Sequence, residues 1–404
     1  MPLPGSSRQN SAAITQKTVR SCAGNFAFAE SPNQETRYGM GDVQQLYDQV
    51  DTDQDLYSDW QREDSLRARP FFAFLWLVTL GVLGVMVLRM TPNGLDGKKY
   101  IPVVVAFVPW MAGISVIALL CALIGRRRAL AVVCTLCLLT QLCWHWGYVW
   151  TSDERTHELP AVSSLTGSTT DRYARVMTLN TKNGLADAQQ IVRAVREEHV
   201  EVLTLQEANA GLLQRLAAAG LGNLLPYSVV APPSGHDNGG VNVLYTAAQP
   251  VSTTTNLIAI EASSVPSACV RMASRTVCFG SVHPFSPRPR NQGLWNSGLD
   301  SIAKLQSNAR LFVLMGDFNS TWDHASFRFL LGDRFVDAGE QNGSWFHMTY
   351  PSNITLFGGR LKVPSLVEID HIVHDRSVVV GDLETVTIAG SDHKALLGTL
   401  DVEQ

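Results

Sequence analysis

Between Phe71 and Trp150 the chain carries three apolar runs in close succession, and they restrict its folding more than any other feature. Phe71 to Met90, Ile101 to Gly125 and Ala129 to Trp150 are each about as long as the ~20 residues with which a helix crosses a bilayer. The first is interrupted only by Thr79, glycines and a late Arg89, and the other two contain no Asp, Glu, Lys or Arg. One such run alone reads equally as a buried core helix. Three on short polar connections predict three transmembrane helices over residues 70–150, with Trp144, Trp146, Tyr148 and Trp150 as an interfacial belt at the far end.

Basic residues set the expected orientation. Arg62, Arg67 and Arg69 precede the first span and Arg126, Arg127 and Arg128 fill the turn between the second and third, so both places should face the cytoplasm. An odd number of spans then puts everything after Trp150 outside the cell membrane. Residues 1–69 are polar, rich in Ser, Gln and Asp, and without periodicity, which predicts a disordered cytoplasmic tail. Residues 151–171 read as a Ser/Thr-rich linker that holds a domain at 172–404 off the membrane. Residues 154–404 are about five charges negative, which argues against a polyanion as the domain's partner.

Within 172–404 the pattern is one of strands and helices. Val176 to Leu179, Val202 to Leu205, Tyr227 to Val230, Val241 to Tyr245, Leu257 to Ala262, Thr276 to Val282, Leu366 to Val373, Val378 to Leu383 and Ala395 to Val402 read as strands. Ala186 to Glu198, Ala208 to Ala219 and Leu294 to Leu305 read as helices. Leu311 to Ser320 (LFVLMGDFNS) is a buried strand stopped by a glycine. Alternation along it would aim Asp317 and Asn319 at one polar target, such as a hydrated divalent cation with a phosphate. Taken alone, a DxN after a strand is equally an Asx turn.

Further strand ends carry polar residues: Val176 to Asn180 (VMTLN), Val202 to Glu207 (VLTLQE), Ser281 to His283 (SVH), Ile369 to His371 (IDH) and Ser391 to His393 (SDH). In chain order they read N, QE, H, GDFN, ID, SDH. That order resembles the endonuclease/exonuclease/phosphatase superfamily of magnesium-dependent phosphoesterases. The resemblance implies an α+β fold like that of deoxyribonuclease I, a two-layer β-sandwich flanked by helices, here preceded by the three transmembrane helices and the disordered tail.

It also implies roles, position by position. Glu207, Asn180 and Asp392 would bind the Mg2+ (or Mn2+); a strand-end carboxylate is the hard oxygen ligand that such ions prefer. Asp370 would orient and charge His393, since a carboxylate on one imidazole nitrogen fixes the tautomer and raises basicity. Asp317 is the other candidate base, Asn319 would hold phosphoryl oxygens, and His283 would donate to the phosphate. His371 and His374 carry no expected role. Glu368 stands where relatives often have a basic residue, which removes one phosphate contact. Asn242, after the HDNGG loop, and Arg288 and Arg290 in PFSPRPR are candidate substrate contacts, with Phe285 placed to meet lipid; an ordinary Pro-rich loop is the other reading.

The domain's two cysteines lie in SACVRMASRTVCFG, a hairpin folded about Ala273 and Ser274 that sets Cys269 opposite Cys278. A disulfide suits an oxidising exterior, and two buried thiols are the alternative. Three spans followed by this domain resemble an actinomycete branch linked to glycopeptide resistance. That likeness implies a membrane-anchored phosphoesterase whose partners are the lipid bilayer and a phosphorylated, lipid-linked substrate at the outer face. A nuclease acting on DNA or RNA and a non-catalytic membrane binding module are the alternatives.

Overall fold

A computed structural model of the chain describes residues 69–151, 154–163, 171–235 and 238–402. The tail expected before Arg69 lies outside the described residues. The first apolar run forms helix α1 (Arg69–Arg89), the one described helix long and apolar enough by length and composition to cross a membrane. The second run is divided into α2 (Ile101–Val105) and α3 (Val108–Ile124). Pro109 lies in the first turn of α3; without an N–H and with its ring against the carbonyl of Val105, it would break a continuous helix there. The third run divides at His145 into α4 (Arg128–Trp144) and α5 (Trp146–Val149). Leu75 of α1, Ala118 and Ala122 of α3, and Leu130 and Cys134 of α4 share one buried cluster, while Leu77, Ile117 and Leu136 stay exposed.

The segment expected to be a linker is corrected by the structure. Glu154–Ser163 is a helix, α6, whose Leu159 is buried beside Gly381. Strand β1 (Tyr173–Asn180) follows, then α7 (Ala188–Glu197), capped by Asp187 accepting from the Gln190 N–H, with Ile191, Val192 and Val195 buried. After β2 (Val202–Ala208) comes α8 (Ala210–Ala218), capped in the same way by Asn209. Strands β3 (Tyr227–Val230), β4 (Val241–Thr246), β5 (Ser252–Thr254), β6 (Ser267–Met272) and β7 (Arg275–Val282) precede α9 (Gln292–Ala303) and β8 (Leu311–Asp317). The remainder is α10 (Ala325–Leu331), β9 (Phe335–Asp337), α11 (Ala338–Gln341), β10 (Thr355–Leu356), β11 (Leu361–Lys362), β12 (Asp370–Asp375), β13 (Val379–Thr387) and β14 (Lys394–Asp401). The strand expected at Leu257 to Ala262 is absent: the segment is irregular, and Leu257, Ile258 and Ile260 pack as side chains under the neighbouring sheet.

Two six-stranded sheets, ordered β13-β14-β1-β2-β4-β3 and β5-β6-β7-β8-β12-β9, form the sandwich. Strand β8 shows why its sequence is apolar throughout. Val313 and Met315 face the core between the sheets, whereas Phe312 and Leu314 face the layer of α9 and α10. The matching outer core lies under α7 and α8, built on Met177, Leu179, Leu203 and Leu205. Gly316 (φ 154°) pairs with Val282 so closely that a Cβ there would lie 2.0 Å from the Val282 carbonyl oxygen. The glycine before Asp317 is therefore required by strand packing as well as by backbone conformation.

The domain is docked against the ends of the apolar helices. Arg89 Nε donates to Asp323 Oδ1 at 2.5 Å and His145 Nε2 lies 3.1 Å from the same carboxylate. Asp96 accepts from the Ser326 N–H at 2.8 Å, His324 Nε2 donates to the Pro102 carbonyl at 2.8 Å, and Trp110 Nε1 donates to the Leu366 carbonyl at 2.7 Å. Burial alone would raise the Asp323 pKa, but His145 and Arg89 outweigh it and hold the carboxyl below its usual range. The expectation of a domain held away from the helices is thus overturned.

Candidate active site

Parallel strands β1 and β2 end side by side and deliver Asn180 and Glu207; β8 brings Asp317 from the other sheet. Asn180 Nδ2 donates to Glu207 Oε1 and to Asp317 Oδ2, at 3.0 Å each, so one amide ties the two sheets together at the site. Its Oδ1 accepts from the Lys182 N–H at 2.9 Å. The register of β2 against β4 shifts between Leu205 and Ala208, and within that irregularity Glu207 takes a left-handed backbone (φ 55°). Such a bulge re-aims a side chain at the cost of local strain. Glu207 Oε2 accepts from the Asn183 N–H at 2.8 Å.

Asp317 and Asn319 do not reach the site by simple alternation, as the sequence suggested. The strand ends at Asp317, whose Oδ1 accepts from the Asn319 N–H at 2.8 Å, and Asn319 is left-handed (φ 51°). This is an Asx turn. The turn and the functional reading coexist, because both side chains line the same cavity of about 490 Å³. Asn319 Nδ2 donates to the Pro284 carbonyl at 3.1 Å, which locks the turn against the segment after His283.

Two imidazoles face Asp317. His393 Nδ1 lies 2.8 Å from Asp370 Oδ2, and its Nε2 lies 3.7 Å from Asp317 Oδ2. Burial would lower the pKa of His393, but the Asp370 and Asp317 carboxylates outweigh it and push it up to about 10. His283 Nε2 lies 3.6 Å from Asp317 Oδ2 and 3.8 Å from Glu207 Oε1. Asn238 Nδ2 donates to His283 Nδ1 at 3.2 Å, a pairing that leaves the His283 proton on Nε2, facing the carboxylates. Asp317 is buried, which raises its pKa; charged His393 pulls the other way without cancelling the rise.

The donor set suits a hard divalent cation. Glu207, Asp317 and Asp392 bring three carboxylates to the cavity, with no thiolate. Asp317, Asp370 and His393 also offer ligand atoms within 4.8 Å of one another. The short His393–Asp370 bond marks that pair as an orienting dyad, which leaves Glu207 and Asp392, with Asp317 beside them, as the acidic wall for an ion.

The other expected site residues fare differently. Arg288 lines the cavity and is exposed, whereas Arg290 is exposed outside it. Asn242 is buried away from the cavity, donating to Ser263 Oγ at 3.1 Å and to the Ser264 carbonyl at 3.0 Å, so it braces β4 instead of touching substrate. Phe285 is buried with Val282 and Trp295 in the core under α9, contrary to the expected lipid contact. Phe285 nonetheless borders the cavity, whereas Glu368 does not. Glu368 is buried, accepts from the His347 N–H at 3.1 Å, and is pushed up to about 7 by burial and by Asp337. His371 is buried outside the cavity lining: Nδ1 lies 3.0 Å from Asp337 and Nε2 donates to the Ser320 carbonyl at 2.8 Å.

Sequence reasoning missed Lys182, Asn238 and Tyr350. Lys182 Nζ lies 3.7 Å from Asp392 Oδ2, and the Tyr350 ring centroid is 4.9 Å from that of His393. Lys182 left a signal in the TKNG turn that directly follows Asn180, and Asn238 lies in the HDNGG loop, whereas Tyr350 left none.

The profile of the Endonuclease/Exonuclease/phosphatase family matches residues 177–393, more than half of the chain. The chain belongs to this family. It is a hydrolase of phosphoester bonds, in a family whose enzymes are generally dependent on a divalent metal. Solved structures similar in fold include Danio rerio TDP2 complexed with a single-strand DNA product (17% identity, 57% of this chain and 99% of that one, TM-score 0.46). Sphingomyelinase C from Streptomyces griseocarneus (14%, 56% and 99%, 0.40) and a mannosyl-6-phosphatase from Bacteroides thetaiotaomicron (16%, 56% and 99%, 0.40) are similar in the same way. No curated protein matches the sequence.

Proposed function

We propose that this protein is a membrane-anchored, Mg2+-dependent (or Mn2+-dependent) phosphoesterase that hydrolyses a phosphate ester or pyrophosphate of a lipid-linked substrate at the outer membrane face. The observation that carries the chemistry is the convergence on Asp317 of Asn180, which is hydrogen-bonded to both Glu207 and Asp317, and of His393, which is hydrogen-bonded to Asp370 and 3.7 Å from Asp317, at the wall of one cavity. The cavity's rim bears Lys182 and Arg288, two cations suited to an anionic substrate.

Glu207 and Asp392 would hold the ion, with Asp317 beside them, and Asn180 sets the spacing of Glu207 and Asp317. The ion supplies charge neutralisation and activation of a phosphoryl centre when bound. Asp317, with one oxygen fixed by the Asn319 N–H and a raised pKa, takes the proton from the attacking water. His393, kept charged by Asp370, and His283, presenting Nε2–H, stabilise the negative charge that builds on the phosphoryl oxygens. Asn319 holds the turn that aims them.

The membrane reading rests on three features: the length of α1, two further apolar helices of 17 residues, and outward aliphatic faces on all three. The Arg126–Arg128 turn supports a cytoplasmic position for that connection and an extracytoplasmic one for the domain. The combination resembles the actinomycete branch linked to glycopeptide resistance. The test is a hydrolysis panel on the full chain in lipid nanodiscs, with magnesium, with manganese and with chelator. Lipid pyrophosphates and phosphodiester lipids should be cleaved with metal only; a marked preference for DNA or RNA would overturn the lipid assignment.

A further inference from the structure

The hairpin formed by β10 and β11 is unlike the rest of the domain surface. Residues 353–362 are exposed without a break, and among them Phe357 is 79%, Leu361 52% and Leu356 46% exposed. Single exposed apolar residues are ordinary, whereas an apolar projection of this kind marks an interaction site. Its charge is equally one-sided. From Ser344 to Val367 the chain contains no Asp or Glu, while Arg360 and Lys362 lie in the hairpin itself. Trp345, 66% exposed, belongs to the same stretch, and its N–H donates to the Tyr148 carbonyl of α5 at 2.7 Å.

The position of the hairpin relative to the apolar helices is held by specific bonds. Trp110, in the first turn of α3, donates to the Leu366 carbonyl. Lys362 is four residues from Leu366, so at about 3.3 Å per residue β11 lies within roughly 13 Å, measured along the chain, of the bonded end of α3. An indole at the end of an apolar helix is a usual marker of headgroup level. The hairpin base also borders the active site. Leu366 and Val367 N–H groups donate to the Tyr350 carbonyl at 2.8 and 2.9 Å, and Tyr350 packs on His393.

We infer that this hairpin lies in the outer leaflet as an additional, non-spanning membrane anchor, with Phe357, Leu356 and Leu361 among the acyl chains and Arg360 and Lys362 on lipid phosphates. The inference rests on the membrane reading above and adds to it the surface that meets the lipid. A hairpin held in this way sets the mouth of the cavity at the level of the lipid headgroups, so a lipid-linked phosphate reaches Lys182 and Arg288 without leaving the bilayer. The ten exposed residues and their positive charge are explained together by an anionic bilayer surface.

The experiment uses the full chain with every cysteine outside the Cys269–Cys278 pair (Cys22, Cys121, Cys134, Cys137 and Cys143) replaced by alanine. An environment-sensitive fluorophore is attached through Phe357→Cys or, as a control at the opposite end of β8, through Arg310→Cys. In nanodiscs of phosphatidylcholine and phosphatidylglycerol, the label at position 357 should shift to the blue and be quenched by nitroxide-bearing lipids, and the label at 310 should do neither. Adding Arg360→Glu and Lys362→Glu should withdraw the label from the quencher. A water-exposed label at 357, or one indifferent to those charges, would overturn the inference. The two readings fail separately: a water-exposed hairpin on a chain that still cleaves lipid phosphates removes only the anchor, and a lipid-buried hairpin on a chain that cleaves none removes only the substrate assignment.

Discussion

Asp317 is the residue on which the site converges, because both imidazoles and the Asn180 amide are aimed at its Oδ2. In the proposed mechanism His393 acts in the transition state, so His393→Ala should lower kcat by roughly a hundredfold to ten-thousandfold with little change in substrate KM. Glu207→Gln should also abolish turnover but be partly rescued by raised magnesium, because it removes charge from the ion-binding wall; steady-state kinetics across magnesium concentrations separates the two. A second residue-scale prediction concerns pH. Burial lowers the pKa of His371, but Asp337 outweighs it and pushes it up to about 9, while burial and Asp337 raise Glu368 to about 7. A folded-state pKa above the unfolded value gives stability that is complete below the unfolded pKa and is lost as pH rises through the folded one. Stability should therefore fall as pH rises through about 7 and again through about 9, and Glu368→Gln should remove the first step in denaturant titrations.

At the scale of elements, the hairpin of β6 and β7 has the register that the spacing of its cysteines implied. Cys269 pairs directly with Cys278, and the two are joined in a disulfide. Because the closed loop is short, with a sequence separation of 9, replacing both cysteines by serine should cost only about 2–3 kcal/mol, read from the shift in a denaturant midpoint. Alkylation of both thiols in unreduced protein would contradict the bond. Strand β8 was legible because each face of it meets a different core, which demands an unbroken apolar run. By contrast, α10 and the β10–β11 pair were missed: seven residues and two residues per strand are too short for a period to register.

Across the whole molecule, the docking of the domain on the helix ends turns on Asp323, which meets Arg89 and His145. Removing one partner of a buried charge pair typically costs about 3–5 kcal/mol, since the other charge is left uncompensated. Asp323→Asn should therefore lower the thermal midpoint in detergent substantially, and an unchanged midpoint would show that the docking does not depend on this carboxylate. Topology is tested by cysteine-accessibility labelling at Arg127 and at Arg310, which should report opposite sides of the membrane. The sequence by itself determined the apolar runs, most of the buried strands and the polar residues at their ends, because periodicity and a polar residue after an apolar run are local properties of the chain. It could not decide that Asn242 turns into the core, that Tyr350 covers His393, or that α6 packs on the sandwich. Those outcomes depend on which residues distant in sequence come together, and that is settled by the packing of two sheets, their helices and the irregular segments between them, where no repeating pattern records the partner.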